Sequence, residues 1–442
     1  MENEIFNETK VSKAYFRLSL PLVLSMVVTL IYNLADTFFV ARTADTNIVA
    51  GVSLGMPLFT FLMAVGNVFG QGGASLISRL LGKKDEKGVR HVSSFCFYTT
   101  IFAGIIIGAL MLIFRVPMLY AIGADSETFA HASDYYIFLA IGAPVIMLSF
   151  IHSNLLRSEG MSKESMAGTV SGAVVNIILD PIFISIFGWG AGGAAAATVI
   201  GYIVSDVFFV VIVYKRSKIL SLSIKEMKIP KNHAGQIFGI GIPAAVVNIM
   251  QSLSVVFMNH FLLPFGNDKI AAMGIVLKVS MIALLLLTGF AFGGQPLFGY
   301  YYGAGDKERL SKLFKFCIKF ISGSALLLTV VIFVCAPFLM KCFMDNGSIV
   351  SDGALMLRWQ IITMVFVGIV LLMTIICQSM GKVAGSFVLS VSRQGVVFLI
   401  VLAVAYKLGG YTGILASQAI ADFITALIAG VLFFGKLRKE FR

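Results

Sequence analysis

Residues 91–114 read HVSSFCFYTTIFAGIIIGALMLIF and contain no Asp, Glu, Lys or Arg. A helix needs about 20 apolar residues to cross the hydrocarbon core of a bilayer, and this stretch is long enough. Because the backbone groups of a segment in lipid must be hydrogen-bonded internally, the stretch predicts a membrane-spanning helix. The whole chain agrees: 58% of its 442 residues are hydrophobic and 13% are charged, where a soluble domain has about 25%.

Further apolar stretches of spanning length bring the prediction to twelve membrane helices. The other stretches lie at 14–40, 49–78, 134–156, 164–187, 191–214, 234–262, 270–302, 313–336, 354–380, 384–406 and 411–435. The predicted fold class is therefore an all-α polytopic membrane protein.

Lys and Arg lie mostly in the loops on one side of these helices. The other side has five of them: Arg42, Arg115, Lys269, Lys341 and Lys407. Basic loops stay in the cytoplasm, so we expect a multi-pass protein of the plasma membrane with both termini cytoplasmic. The net charge of +12 then reflects topology in a lipid bilayer, and no nucleic acid partner is expected. The polar, acidic N-terminus lacks the basic start of a signal peptide, which favours a first helix that is retained.

An internal repeat relates the two halves of the chain. Gly82-Lys-Lys-Asp85 matches Gly303-Ala-Gly-Asp306, and Ser158-Glu-Gly160 matches Ser379-Met-Gly381, both at an offset of 221. Six spans return the chain to its starting side, so the halves are predicted to be parallel, pseudo-symmetric six-helix bundles. We expect an N-terminal bundle at 1–218, a cytoplasmic linker at 219–233 and a C-terminal bundle at 234–442. Two such bundles can rock between inward- and outward-open states, which indicates transport.

Two acidic residues at membrane depth are the sharpest functional candidates, because ionisable groups in lipid are costly. Asp36 lies in helix 1, with Tyr32 and Asn33 one turn earlier on the same face. Asp180 lies in helix 5, one turn after Asn176, and the following Pro181 frees a backbone carbonyl. These oxygens predict a site for a proton or for Na⁺ at Asp36, Asn176 and Asp180.

Other polar residues inside the predicted spans extend this acidic pocket or line a substrate cavity. Helix 6 adds Thr198 to the pocket. The residues predicted to line the cavity are Tyr32, Asn33, Gln71, Tyr136, Asn154, Tyr202, Asp206 and Lys278.

Each candidate also has a purely structural interpretation. Asp36 could cap a helix end, and Asp180 before Pro181 could end its helix. Asp206 could pair with a basic residue at the interface. Helix 2 has a polar stripe that could only hold helices together, formed by Asn67, Gln71, Ser75 and Ser78. Lys278 needs an acid or water, and Asp422 is a plausible partner.

No stretch reads GxxxxGK[ST], HExxH or GxSxG, so an ATP-driven pump, a membrane protease and a hydrolase are disfavoured. We expect no enzymatic activity, no cofactor and no metal apart from the Na⁺ considered above. Two rivals to an exporter stay open. One is a flippase for lipid-linked oligosaccharide precursors, which needs a basic cavity; the other is a membrane-embedded transferase or receptor.

The chain resembles the MATE (multidrug and toxic compound extrusion) transporters, in particular their MepA/DinF-like bacterial branch. The resemblance covers nearly the whole chain and is carried by Leu20-Pro21, Asn33-x-x-Asp36, Gly82-x-x-Asp85, Arg157-Ser158-Glu159-Gly160, Asn176-x-x-x-Asp180-Pro181 and Gly190 to Gly193. It implies a monomeric antiporter that exports small organic cations such as drugs, dyes and biocides in exchange for H⁺ or Na⁺.

The resemblance also implies roles for particular residues. Asp36, Asn176, Asp180 and Thr198 match the family's cation or proton site in the first half. Gln251 stands where the NorM branch has an acid on helix 7, which argues against a second sodium site and favours H⁺.

Overall fold

The structure, a computed structural model, describes residues 5–343 and 347–441, except for the side chains of residues 267 and 348. These ranges contain helices and no strand. The first helices are α1 (Val11–Ala41), α2 (Thr46–Gly82), α3 (Glu86–Ile113), α4 (Arg115–Ala121), α5 (Phe129–Ser158), α6 (Ser162–Pro181) and α7 (Gly190–Arg216). The later ones are α8 (Lys231–Leu262), α9 (Asn267–Gly293), α10 (Gln295–Ala304), α11 (Lys307–Phe343), α12 (Gly347–Ile361), α13 (Met364–Ser379), α14 (Val383–Val391) and α15 (Val397–Leu432). Short 3₁₀ or π turns lie at Ile182–Ile186, Ile224–Glu226, Leu263–Phe265, Ser392–Val396, Phe433–Leu437 and Arg438–Phe441.

Ten helical segments among the described residues are long and apolar enough to cross a membrane, and the bent pair Ile349–Ile361 and Met364–Ser379 makes an eleventh. The last of the ten, Val383–Phe441, covers two of the predicted spans. Gly410 divides it, with φ 53° and ψ −127°, both outside the helical region. The helices thus agree with the twelve predicted spans, and the predicted all-α membrane fold is confirmed.

The repeated Gly-x-x-Asp motif is a helix start. Asp85 opens α3 and Asp306 opens α11, and each carboxylate accepts a 2.9 Å hydrogen bond from the backbone N–H three residues later. The residue before each Asp is left-handed, with φ 58° at Lys84 and 72° at Gly305. The motif recurs because both halves need the same turn and the same N-cap after their second span.

The described chain divides into two compact units. One contains Leu24–Gly241, and the other contains Phe6–Val23 and the chain from Ile242 onward. The start of α1 therefore belongs to the second unit, and the start of α8 belongs to the first. The bundle boundaries expected from the sequence stay a prediction.

Paired glycines let helix starts approach closely within each unit. A Cβ on Gly72 of α2 would lie 2.2 Å from the carbonyl oxygen of Ile237 in α8. A Cβ on Gly293 of α9 would lie 2.3 Å from the Cβ of Ser19 in α1. Both contacts are too close for any side chain. Gly72-Gly73 and Gly293-Gly294 are also related by the offset of 221, so this glycine pair has the same packing role in both halves.

Helix α5 lies at the centre of the first unit, where it packs against α2, α3, α6 and α7. Its apolar side chains, including Leu139, Ala143 and Ile146, are fully buried in the core. Such a central helix can place polar side chains at fixed positions between its neighbours.

Glu159, just after α5, holds the segment that follows α7. Its buried carboxylate accepts hydrogen bonds from the Ser217 hydroxyl (2.6 Å) and the Lys218 backbone N–H (3.0 Å). We expect Glu159→Ala to lower the free energy of unfolding by about 1.5–3 kcal/mol, because hydrogen bonds to a charged group are lost. A thermal melt of purified protein measures this. The exposed Glu308→Ala is the control, and equal melting temperatures for both variants would contradict the prediction.

Candidate functional site

The two predicted carboxylates lie together in the first unit. Asp36 is near the end of α1, and Asp180 immediately precedes Pro181, the last residue of α6. The two side chains are close enough to interact electrostatically. Asp36 lies within α1, so it does not act as a helix cap. The position of Asp180 agrees with a helix end, but its side chain is fully buried.

Asn176 links Asp180 to α7. Its side-chain amide donates to Asp180 Oδ1 over 3.3 Å and to Thr198 Oγ1 over 3.4 Å. The spacing of one helical turn puts Asn176 and Asp180 on one face of α6. The sequence predicted these three residues as one site, and the structure brings them together.

Close packing of α6 on α7 allows these long hydrogen bonds. A Cβ on Gly172 would lie 2.5 Å from the Gly201 carbonyl oxygen, and a Cβ on Gly201 would lie 3.2 Å from the Cβ of Asn176. Both glycines are required for this approach, because any side chain would push the helices apart.

Three oxygens of this cluster have no hydrogen-bond donor. Asp36 Oδ1, Asp180 Oδ2 and Asn176 Oδ1 are buried and without a partner among the described residues. Buried acceptors are rarely left unpaired, because their desolvation is then uncompensated. An added proton on either carboxyl would supply a donor, and a small cation bound there would supply a contact for an unpaired oxygen.

Three tyrosines surround the carboxylates. Tyr32 of α1 and Tyr202 of α7 lie close enough to interact with each other, and Tyr32 lies near both Asp36 and Asp180. Tyr135 of α5 is also near both acids. Sequence reasoning selected Tyr136 instead.

Tyr136 is fully buried and donates a 2.8 Å hydrogen bond to the Met111 carbonyl oxygen of α3. Its hydroxyl is therefore committed to helix packing. One residue turns a helix by about 100°, so an error of one position moved the prediction to the wrong face of α5.

Other predicted cavity residues are more scattered. Asn33 is exposed on α1. Gln71 of α2 has a buried Oε1 without a hydrogen-bond partner among the described residues. Asn154 is bonded within α5: its amide donates to Phe150 O (2.6 Å) and its oxygen accepts from Arg157 (2.5 Å).

Asp206 of α7 pairs with a residue that sequence reasoning missed. His152 Nδ1 of α5 lies 3.9 Å from Asp206 Oδ1, and both side chains are buried. The expected alternative, a basic partner at the interface, is wrong for the described residues. In the sequence, His152 looks like an ordinary core histidine. Only the neighbouring carboxylate of Asp206 on α7, which the structure reveals, marks it as different.

A largely buried ion pair lies in the second unit. Asp422 of α15 is 1% exposed and accepts from Arg393 Nε, Gln418 and Thr363, each over 3.1 Å. Arg393, and not Lys278, is thus the ion-pair partner of Asp422. Lys278 is exposed on α9 and has no ion pair among residues 5–343 and 347–441; its contact with substrate stays a prediction.

The repeat offset of 221 relates this ion pair to the glycine contact of the first unit. Arg393 stands at the position of Gly172, and Asp422 stands at the position of Gly201. The residues that match Asn176, Asp180 and Thr198 at the same offset are the apolar Val397, Val401 and Ala419. The combination of Asn176, Asp180 and Thr198 is therefore not repeated at the matching positions of the second half.

Comparison with known proteins identifies the family. The MatE family model matches residues 21–182 and 243–405, which are two copies that begin at Pro21 and Pro243. Multidrug export protein MepA of Staphylococcus saprophyticus is 32% identical over 97% of this chain and 95% of its own. MepA of Staphylococcus aureus strain MRSA252 is also 32% identical, over the same shares.

Solved structures show the same fold. A MOP superfamily transporter from Pyrococcus furiosus is 25% identical and covers 99% of this chain and 97% of its own, with a TM-score of 0.90. A MATE crystal structure in complex with MaL6 is 24% identical and covers 99% and 98%, with a TM-score of 0.92. The two matched repeats and the full-length similarity show that this chain belongs to the MatE family of membrane transporters.

Proposed function

We propose that this chain exports amphipathic organic cations across the plasma membrane in exchange for protons, with both termini in the cytoplasm. The MepA relatives, which are named multidrug export proteins, support the export of drugs. The excess of basic loops on the side of the termini supports the orientation. The protein acts as a transporter and not as an enzyme.

The observation that carries this proposal is the set of unpaired oxygens at Asp36, Asp180 and Asn176. Without a proton the two carboxylates repel each other, because they are buried together and no Lys or Arg among the described residues pairs with them. Protonation removes one charge and supplies a hydrogen-bond donor to a neighbouring oxygen. The deprotonated pair attracts a cation, so proton uptake and drug binding oppose each other, as exchange requires.

Sodium is the alternative coupling ion, because the same carboxylate and amide oxygens suit a hard cation. The energetics of the two ions differ in one respect. A pH gradient contributes about 1.4 kcal/mol per unit only when the coupling ion is a proton. If one proton enters for each monovalent cation exported, no net charge moves and the membrane potential contributes nothing.

Asp180→Asn and Asp36→Asn are expected to abolish pH-driven ethidium transport in proteoliposomes, because neither amide can take up a proton. Transport should fall to the rate of protein-free vesicles, while wild-type transport follows the pH gradient with and without Na⁺. Asp45→Asn is the matched control: Asp45 caps α2 through two backbone N–H groups, a role that Asn fills equally well.

Three results would decide against this reading. Unchanged drug-driven proton movement in both variants would remove the coupling role of these acids. Transport that follows Na⁺ at fixed pH would replace the proton by sodium. No ethidium movement by the wild type would favour the flippase considered above. Its basic cavity would need Lys278 and Arg393, and Asp422 already neutralises Arg393.

A further inference from the structure

Asp206 and His152 form a polar pair deep in the first unit, separate from the Asp36–Asp180 site. His152 is 2% exposed and Asp206 is 6% exposed. Both ring nitrogens and both carboxylate oxygens lack a hydrogen bond among the described residues. A buried carboxylate and imidazole without any hydrogen bond leave room for one more proton between them.

The surroundings of this pair contain few other polar groups. Phe97 of α3 and Phe209 of α7 pack on the His152 ring, with centroids 5.3 and 6.2 Å away. From α5, Ser149 also faces Asp206, and α6 approaches with Gly168, whose carbonyl is bonded to Ser205. Tyr202 is the remaining titratable neighbour of Asp206, and no Lys or Arg of the described residues pairs with it.

The pair lies in line with the acidic cluster. Thr198, Tyr202 and Asp206 follow one another at intervals of one turn on one face of α7, so Asp206 is about 12 Å of helix rise from Thr198. His152 lies near the C-terminal end of α5, whose last turn contains Arg157 and which the predicted topology places on the side of the basic loops. Asp36 and Asp180 lie near the C-terminal ends of α1 and α6, which the same topology places on the other side of the membrane.

Tyr32 and Tyr202 connect the two sites. Their side chains lie close enough to interact with each other. Tyr32 lies near Asp36 and Asp180, and Tyr202 lies near Asp206. A hydroxyl both donates and accepts, so two hydroxyls in sequence can pass a proton without carrying charge themselves.

We propose that His152 and Asp206 are a second proton-binding site, through which a proton from Asp36 and Asp180 leaves toward the side with the basic loops. This inference rests on the proposed proton coupling and names the exit that such coupling requires. The acid O–H gives its proton to the Tyr32 oxygen, Tyr32 gives its own to Tyr202, and Tyr202 gives its own to the Asp206 carboxylate. His152 accepts the proton from Asp206 and releases it to water. One proton moves, and both tyrosines end as neutral hydroxyls.

Turnover and drug binding separate this role from a structural one. We expect Asp206→Asn and His152→Gln to slow pH-driven ethidium transport in proteoliposomes about tenfold or more. The ethidium affinity of His152→Gln, which alters no predicted cavity residue, should stay within about twofold of the wild type. In both variants, the dependence of the transport rate on the pH of the basic-loop side should differ from that of the wild type, because the pair no longer takes up the proton. Asp206→Glu should restore most of the rate, because it restores the carboxylate. Phe97→Leu, which changes only packing on His152, should keep the wild-type pH profile.

The conservative variant keeps the inference testable if another variant does not fold. Asp206→Glu keeps the carboxylate, so a folded Asp206→Glu that transports ethidium no faster than Asp206→Asn would overturn the inference. If Asp206→Asn and His152→Gln both keep wild-type rates and pH profiles while Asp180→Asn is inactive, this inference is overturned and the proposed function stands. Unchanged coupling in Asp180→Asn as well would overturn the proposed function and this inference together.

Discussion

Arg393→Leu is expected to lower the free energy of unfolding by about 3–5 kcal/mol, because it leaves the carboxylate of Asp422 buried without its cation. The Asp422 side chain is 1% exposed and that of Arg393 is 14% exposed, so water cannot replace the lost partner. Thermal unfolding of purified protein in detergent, followed by intrinsic fluorescence, measures the change.

The double variant Arg393→Leu with Asp422→Leu tests the mechanism. It removes both charges, and we expect it to recover most of the stability, since apolar pairs often replace buried ion pairs at little cost. Lys312→Leu is the control, because Lys312 and Glu308 form an exposed pair, and its melting curve should match the wild type. A double variant as unstable as Arg393→Leu would show that Arg393 acts by packing and not by compensating charge.

Gly172→Leu is expected to separate α6 from α7 and to lower stability by at least about 1–3 kcal/mol, the usual range for overpacking. Its Cβ would lie 2.0 Å from Ser205 Oγ, which can rotate away, and 2.5 Å from Gly201 O, which is backbone and cannot. The separation would also break the Asn176–Thr198 hydrogen bond.

The yield of monodisperse protein and its melting temperature measure this effect. Gly323→Leu is the matched control, because it is also in the middle of a helix (α11) and a Cβ there meets nothing within 4 Å. Equal stability of the two variants would contradict the prediction. If Gly172→Leu folds, we expect weaker proton coupling, since Asn176 would no longer be held between Asp180 and Thr198.

The membrane fold could be predicted from the sequence because lipid imposes one simple requirement on every span. Apolar length located the helices, and the repeated Gly-x-x-Asp motif marked the same helix start in both halves. Asp36, Asn176 and Asp180 were identifiable because acidic and amide side chains are rare in apolar segments. Their joint placement follows from helix faces, which a spacing of one turn determines.

The contacts between helices could not be predicted in the same way. Spacing along one helix does not reveal which residue of another helix faces it, so His152 was missed as the partner of Asp206. Lys278 was considered for Asp422 because both lie at membrane depth, whereas the structure pairs Asp422 with Arg393. Tyr135 and Tyr136 are adjacent in sequence, and only the packing of α5 decides which of them reaches the acids.

The correspondence of Gly172 and Gly201 with Arg393 and Asp422 also limits how two duplicated halves could diverge. Both pairs close the same helix crossing, one by removing side chains and the other by matching opposite charges. If the ancestral repeat had glycine at both positions, an acid gained first would have stood as a lone buried carboxylate, which is strongly destabilising. A long arginine can extend its charged end toward water, so a viable mutational order introduces arginine before aspartate. Of the two crossings, the one beside the exchange site is thus held by close packing. The other is held by an ion pair that a single mutation can break.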